Sequence, residues 1–226
     1  MEPIVIGDDD QPGTEEHPIE LGQQPGQRPD AEALVRWRVF SDWDPTTEPV
    51  AEGMRMCFGS RNTMERYREQ MGTINNFHSI GTMIVATIEG QRAGVVTAST
   101  LASEVEIYGL RAWVGGRGLG ADLLRRLADL LRGRADRLAV PPTGHCHTRM
   151  LALNAYLKAG HTLIEGDVPL RQWRPEGTEA PNPRIKRARQ KFTERLNAYV
   201  GLDERDREAA DRRCRYKIAP LQLSNP

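Results

Sequence analysis

Residues 110–124 read LRAWVGGRGLGADLL. Gly115, Gly116, Gly118 and Gly120 fall within six positions, and leucines follow at helical spacing. A strand, a glycine turn and a helix together make an anion site. The amides of the turn and the first N–H groups of the helix have no carbonyl one turn earlier, and they converge where the helix dipole is positive. Glycine lets that backbone approach a ligand closely and adopt positive φ. The bland alternative is a tight turn between two packed elements. Two phosphate patterns do not fit. A P-loop ends in Gly-Lys-Ser/Thr, whereas Gly120-Ala121-Asp122 stands here. A dinucleotide fingerprint needs G-x-G-x-x-G, and Leu123 occupies the third glycine position.

Working outward, EVEIYGLRA (104–112) reads as a strand. Strict alternation puts Val105 and Ile107 on one face and Glu106, Tyr108 and Leu110 on the other. Before it, TMIVATIE (82–89) and RAGVVTAST (92–100) form a hairpin around a Gly90-Gln91 turn. After the glycines, a helix runs to about Arg132. Its buried stripe is Leu119, Leu123, Leu127, Leu130 and Leu131, with Leu124 on the flank and Gly133 as the stop. DRLAVP (136–141) is a short strand, and Thr148 caps a helix ending near Ala159 before Gly160. Residues 161–173 hold one or two strands. Asp30 is placed to cap a helix through Trp43, with Leu34, Trp37 and Phe40 near one face, and RNTMERYREQM (61–71) is a second helix.

The flanks differ in character. Residues 1–30 carry eight acids and one base, with five prolines and four glycines, and read as an extended arm. Residues 174–182 form a linker. Asn182-Pro183 opens a basic helix with Ile185, Ala188, Phe192, Leu196 and Tyr199 on its apolar face. A polar helix over 203–216 and an irregular tail, IAPLQLSNP, follow. Residues 174–217 carry thirteen bases and eight acids. The domain reading is an arm over 1–30, a folded domain over 31–173 and a basic helical extension over 174–226. Opposite charges at the two ends point to a protein partner or homo-oligomer through residues 1–30 and 183–216. The neutral chain and the apolar stripe argue against nucleic acid. No run approaches a membrane span, and the acidic start lacks a signal-peptide core, so a soluble, cytoplasmic protein is expected. Three cysteines, Cys57, Cys146 and Cys214, fit free thiols.

The order helix, helix, three strands, glycine turn, helix, strand, helix, strand resembles the GNAT family of acetyl-CoA-dependent acyltransferases over roughly residues 31–173. The family loop is Gln/Arg-x-x-Gly-x-Gly/Ala. Gly118 and Gly120 match it, and Gly115 departs from it by replacing the usual polar residue. Gly94 falls at the family's hairpin glycine. ALNAYLKAGH (152–161) matches the segment Ala-x-x-x-Tyr-x-x-x-Gly-Phe at Ala152, Tyr156 and Gly160, with His161 in place of the aromatic.

The resemblance implies an α/β fold with a mixed, mostly antiparallel central sheet flanked by helices. It also implies acetyl-CoA as co-substrate and an amine acceptor. The amides of Gly115, Gly116, Arg117, Gly118, Leu119 and Gly120 would then hold the pyrophosphate, with Arg117, Arg125 and Arg126 adding charge. A backbone N–H near Leu110 would bind the carbonyl oxygen, and Tyr156 would protonate the thiolate. Glu106 is the best carboxylate for the general base, with His145 and His78 as the other candidates. Tyr156 at helical spacing with Leu153 fits a core position equally well, and a strand glutamate is commonly solvated. Gly-His-Cys-His (144–147) has no second ligand pair at zinc spacing, so no metal is expected. A different class shares this fold: a docking component of a large assembly such as a virus particle, with weak or no catalysis.

Overall fold

A computed structural model describes residues 35–71, 80–115, 117–140, 150–165, 168–170, 183–213 and 216–223. All fall in the larger of the two compact units into which the chain divides, Leu34–Pro226. Residues 1–30, Gly116, His78, Cys146, Cys214 and the 141–149 segment with His145 lie outside the described residues.

The hairpin is present but one residue displaced. β2 (Ile80–Ile88) and β3 (Gln91–Ser99) are joined by Glu89 and Gly90, both at positive φ, 53° and 81°. Two successive positive φ values make the turn whose twist matches a two-residue hairpin, so Gly90 is its second residue and not its first. β4 spans Glu104–Ala112 as predicted and pairs antiparallel with β3.

The N-terminal helix reading is corrected. Val35–Ser41 is a strand, β1, paired antiparallel with β2 from Val35↔Ile88 to Ser41↔Thr82. Val35, Trp37 and Val39 are half-buried while Arg36 and Arg38 are exposed, a period of two set by β-branched and aromatic residues. The helical element comes later: α1 (Val50–Phe58) starts where Asp42 accepts the Val50 N–H at 2.9 Å, and α2 (Thr63–Met71) follows.

α3 spans Leu119–Leu131. Leu123, Leu127 and Leu131 are fully buried. The stripe is broader than predicted, because Leu124 is 1% exposed whereas Leu130 is only half-buried. Gly133 ends the helix at φ 74°. β5 (Arg137–Ala139), α4 (Met150–Lys158), β6 (Thr162–Glu165) and β7 (Val168–Leu170) follow, then α5 (Pro183–Val200) and α6 (Glu204–Arg213).

The tail is not irregular. β8 (Tyr216–Ala219) pairs antiparallel with β6, and β9 (Leu221–Gln222) pairs antiparallel with β5. The described strands therefore form a mixed, mostly antiparallel sheet, β1-β2-β3-β4-β5-β9, and a small sheet, β7-β6-β8. β4 and β5 are the parallel pair of the large sheet.

Helices cover both faces of that sheet. On one, α1 and α2 close a core of Phe40, Met54, Phe58, Tyr67, Met83, Val85 and Val95. On the other, α3 lies against β2, β3 and β4, with α4 beside it. Gly94 permits that approach: a Cβ there would stand 3.0 Å from side-chain carbons of both Leu119 and Leu123. Burying each such leucine contributes about 1.5–3 kcal/mol. No helix among the described residues is long and apolar enough to cross a membrane.

Candidate active site

β4 changes parity in its middle. Ala98 faces Ile107 and Thr97 faces Gly109, so Tyr108 is an extra residue, a β-bulge. Directly opposed residues share a face. Thr97 hydrogen-bonds the Tyr67 hydroxyl of α2 at 2.7 Å, which fixes Thr97 and Gly109 on the α1/α2 face. Leu110, opposite Val96, therefore joins Ile107 and Val105 on the α3/α4 face. Glu106 stays on the α1/α2 face with Tyr108, which packs against that core. The prediction that Glu106, Tyr108 and Leu110 share one side is thus corrected, because one extra residue inverts the alternation. Gly109 makes the bulge possible. A Cβ there would lie 2.6 Å from Met71 Cε and 2.9 Å from the Tyr67 hydroxyl.

β5 pairs only with Glu104, Val105 and Glu106 of β4. From Ile107 onward, no described strand lies beside that edge. Glu106, half-buried and donating its N–H to Ser99 Oγ at 2.9 Å, marks where the two strands part.

The glycine loop is anchored at Trp113 and open at Gly115. The Trp113 N–H donates to the Ala93 carbonyl at 2.8 Å, and the Trp113 ring lies 4.8 Å beneath the Arg92 guanidinium. A Cβ on Gly115 would meet nothing within 4 Å. Gly118 is the helix N-cap, in the left-handed conformation at φ 73°, ψ 5°. Its carbonyl accepts the N–H groups of Ala121 and Asp122 at 2.9 and 3.2 Å, leaving those of Leu119 and Gly120 with no earlier helical carbonyl. Leu119 is buried, Arg117 half-buried.

Gly120 brings three elements together. A Cβ on it would stand 3.3 Å from Ala155 Cβ of α4 and 4.0 Å from Leu110 Cδ2 of β4. Tyr156, the next residue of α4, is 5% exposed and meets the His161 ring edge-on, centroids 5.2 Å apart. The candidate groups on Leu110, Leu119, Gly120 and Tyr156 thus belong to elements in mutual contact, and Glu106 lies across the sheet from Leu110.

The arginines act locally. Arg125 donates to Asp122 Oδ1 at 2.6 Å and to the Lys158 carbonyl at 2.9 Å, tying α3 to the end of α4. Its pairing with Asp122 also offsets a negative charge in the first turn of α3, where an anion would sit. Arg126 stacks over Trp37 at 4.1 Å.

Sequence reasoning missed two contributors, Gly109 and His161. Gly109 had a signal, an isolated glycine inside a strand pattern, which marks a bulge or a close approach. His161 is 1% exposed, its Nδ1 is 3.4 Å from the Ala219 carbonyl, and its Nε2 has no hydrogen-bond partner among the described residues. Burial pulls its pKa down to about 4, so the ring is neutral at pH 7. Cys57 is a buried free thiol, pushed up to about 12 by burial and therefore unreactive.

No protein-family model matches the chain, and no curated protein matches it. Solved structures do. One is an N-acetylglutamate synthase from Neisseria gonorrhoeae complexed with coenzyme A and N-acetyl-glutamate, at 20% identity over 71% of this chain, TM-score 0.36. The match spans only 33% of that synthase. A second is the catalytic domain of Tetrahymena GCN5 histone acetyltransferase with coenzyme A, at 14% identity over 66% of this chain and 89% of that one, TM-score 0.38. A third is an aminoglycoside acetyltransferase with coenzyme A and kanamycin, at 18% identity over 60% and 91%, TM-score 0.35.

Proposed function

We propose that this chain is an acetyl-CoA-dependent N-acyltransferase of the GNAT type. The observation that carries the reading is the convergence at the head of α3. A left-handed Gly118 turns the chain into a helix whose first amides are free of helical partners, against Leu110 and α4, beside the edge of β4 that β5 leaves.

The site fits a diphosphate-bearing thioester. Space around Gly115 and the positive end of the α3 dipole suit the diphosphate, which the amides of Gly115 to Gly120 would hold, with half-buried Arg117 adding charge. Arg125 supports that end through Asp122. Acetyl-CoA supplies an activated acetyl group, which passes from sulfur to an amine nitrogen as the C–N bond forms and the C–S bond breaks. In this reading the backbone near Leu110 donates to the acetyl oxygen, which gains charge as the amine attacks. Glu106 takes the amine's proton from the α1/α2 side, and Tyr156 returns a proton to the departing sulfur. Nothing in the described residues favours the docking alternative.

The test is a melting curve with acetyl-CoA. Saturation at a hundred times the dissociation constant adds about 2.7 kcal/mol and raises the melting temperature by roughly 5–11 °C. An unchanged melting temperature at millimolar acetyl-CoA overturns the reading. Tyr156→Phe is expected to slow thiol release from acetyl-CoA, assayed as basal hydrolysis with water taking the acetyl group, about a hundredfold while leaving coenzyme A affinity within about twofold. Equal rates remove Tyr156 from the mechanism.

A further inference from the structure

We propose that the C-terminal segment holds α4 at both ends and so positions Tyr156, with Asp211 and His161 as the positioning residues. The consequence for chemistry rests on the acyl-transfer reading above. The mechanical claim rests on geometry alone.

The first turn of α4 is capped from far away. The Met150 N–H donates to Asp211 Oδ1 at 2.9 Å, across 61 positions of sequence. The other oxygen, Oδ2, accepts the Tyr199 hydroxyl of α5 at 2.9 Å. Asp211 is 9% exposed, so one buried carboxylate ties α5 and α6 to the start of the helix that carries Tyr156. N-terminal caps ordinarily come from the residue just before the helix. Here a carboxylate from another element serves, and its charge suits the positive end of α4.

The last turn is held from the same segment. Gly160, at φ 102°, turns the chain back so that the His161 N–H donates to the Tyr156 carbonyl at 3.0 Å. The His161 ring then meets the Tyr156 ring at an interplanar angle of 86°. Its Nδ1 faces the Ala219 carbonyl of β8, and donates to it in the tautomer protonated there. β8 is itself registered on β6, with Thr162 opposite Ala219, so the ring's seat depends on that strand being in place. α4 is thereby fixed in translation by Asp211 and at its far end by the edge-on histidine. Catalytic groups need placement within about 0.5 Å, and a misplacement of about 1 Å costs on the order of a hundredfold.

The experiment uses the full chain labelled with 3-fluorotyrosine, the Tyr156 fluorine signal being assigned by its loss in Tyr156→Phe. In Asp211→Ala and in His161→Phe that signal shifts while the Tyr67 signal, from the opposite core, stays. Asp211→Asn, which keeps an oxygen for Met150, stays near the parent. Thiol release from acetyl-CoA falls about tenfold in Asp211→Ala, coenzyme A affinity holds within about twofold, and the same change adds nothing in a Tyr156→Phe background. A stationary Tyr156 signal in His161→Phe, or Asp211→Ala slowing the Tyr156→Phe chain by the same factor, overturns the proposal. Should Asp211→Ala not fold, His161→Phe carries the same measurements. Should the chain neither bind nor cleave acetyl-CoA, the transferase reading falls, and the fluorine spectra alone still decide whether the segment positions Tyr156.

Discussion

At the residue scale, two side-chain environments carry the site. Gly109 has no room for a Cβ, and the atoms it would strike include the Tyr67 hydroxyl, whose bond to Thr97 joins α2 to the sheet. Gly109→Ala should therefore cost about 1–3 kcal/mol, read as a lowered urea midpoint, and a neutral result would show that the bulge relaxes freely. His161 gives a pH signature. Its folded pKa, about 4, lies below the ordinary 6.5 because burial disfavours the charged ring. As pH falls below 6.5, the unfolded chain takes up a proton that the folded chain refuses, so stability drops until about pH 4. The difference of about 2.5 units corresponds to roughly 3 kcal/mol. His161→Phe should flatten that slope between pH 6.5 and 4, and an unaltered slope would assign the acid sensitivity to other groups. Gly118 was legible because a glycine before a leucine-rich run is a local signal. The side on which Glu106 lies was not, since a single bulge inverts parity without altering the letters on either side of it.

At the element scale, α3 tests how a buried stripe is read. Leu127 is fully buried, whereas Leu130, at the margin of the same stripe, is half-buried. Leu127→Ala should cost about 2–5 kcal/mol and Leu130→Ala about 1 kcal/mol or less, compared by urea denaturation. Equal losses would place the helix in a rotation other than the one described. The 3.6-residue period located this helix correctly because its pattern is long. β1 failed for the opposite reason. Leu34, Trp37 and Phe40 satisfy a helical period over a short window, but Arg36 and Arg38 satisfy a strand period as well, and the pairing with β2 decides between them.

At the scale of the whole molecule, the chain from Tyr216 onward is woven into what precedes it. β9 lies beside β5, β8 beside β6, and the Leu223 N–H donates to the Asp136 carbonyl at 2.8 Å. Removing residues 216–226 uncovers those edges of β5 and β6. The truncated chain should show a lower urea midpoint and stronger light scattering on concentration, from edge-to-edge association. A truncated chain as stable and as soluble as the parent would make β8 and β9 mere decoration.

By itself, the sequence determined the hairpin, β4, the glycine turn, α3 and the helical pair α5 and α6. Each of these is specified by neighbours within about four residues, through alternation, helical period, turn glycines and caps. Tertiary structure alone decided that Val35–Ser41 is a strand, that Leu110 and Glu106 face opposite ways, and that the tail completes both sheets. Those outcomes depend on strand partners from nine positions away, as for Ala98 and Ile107, to eighty-five, as for Arg137 and Gln222, and a local pattern holds no record of which edge will be free to accept them.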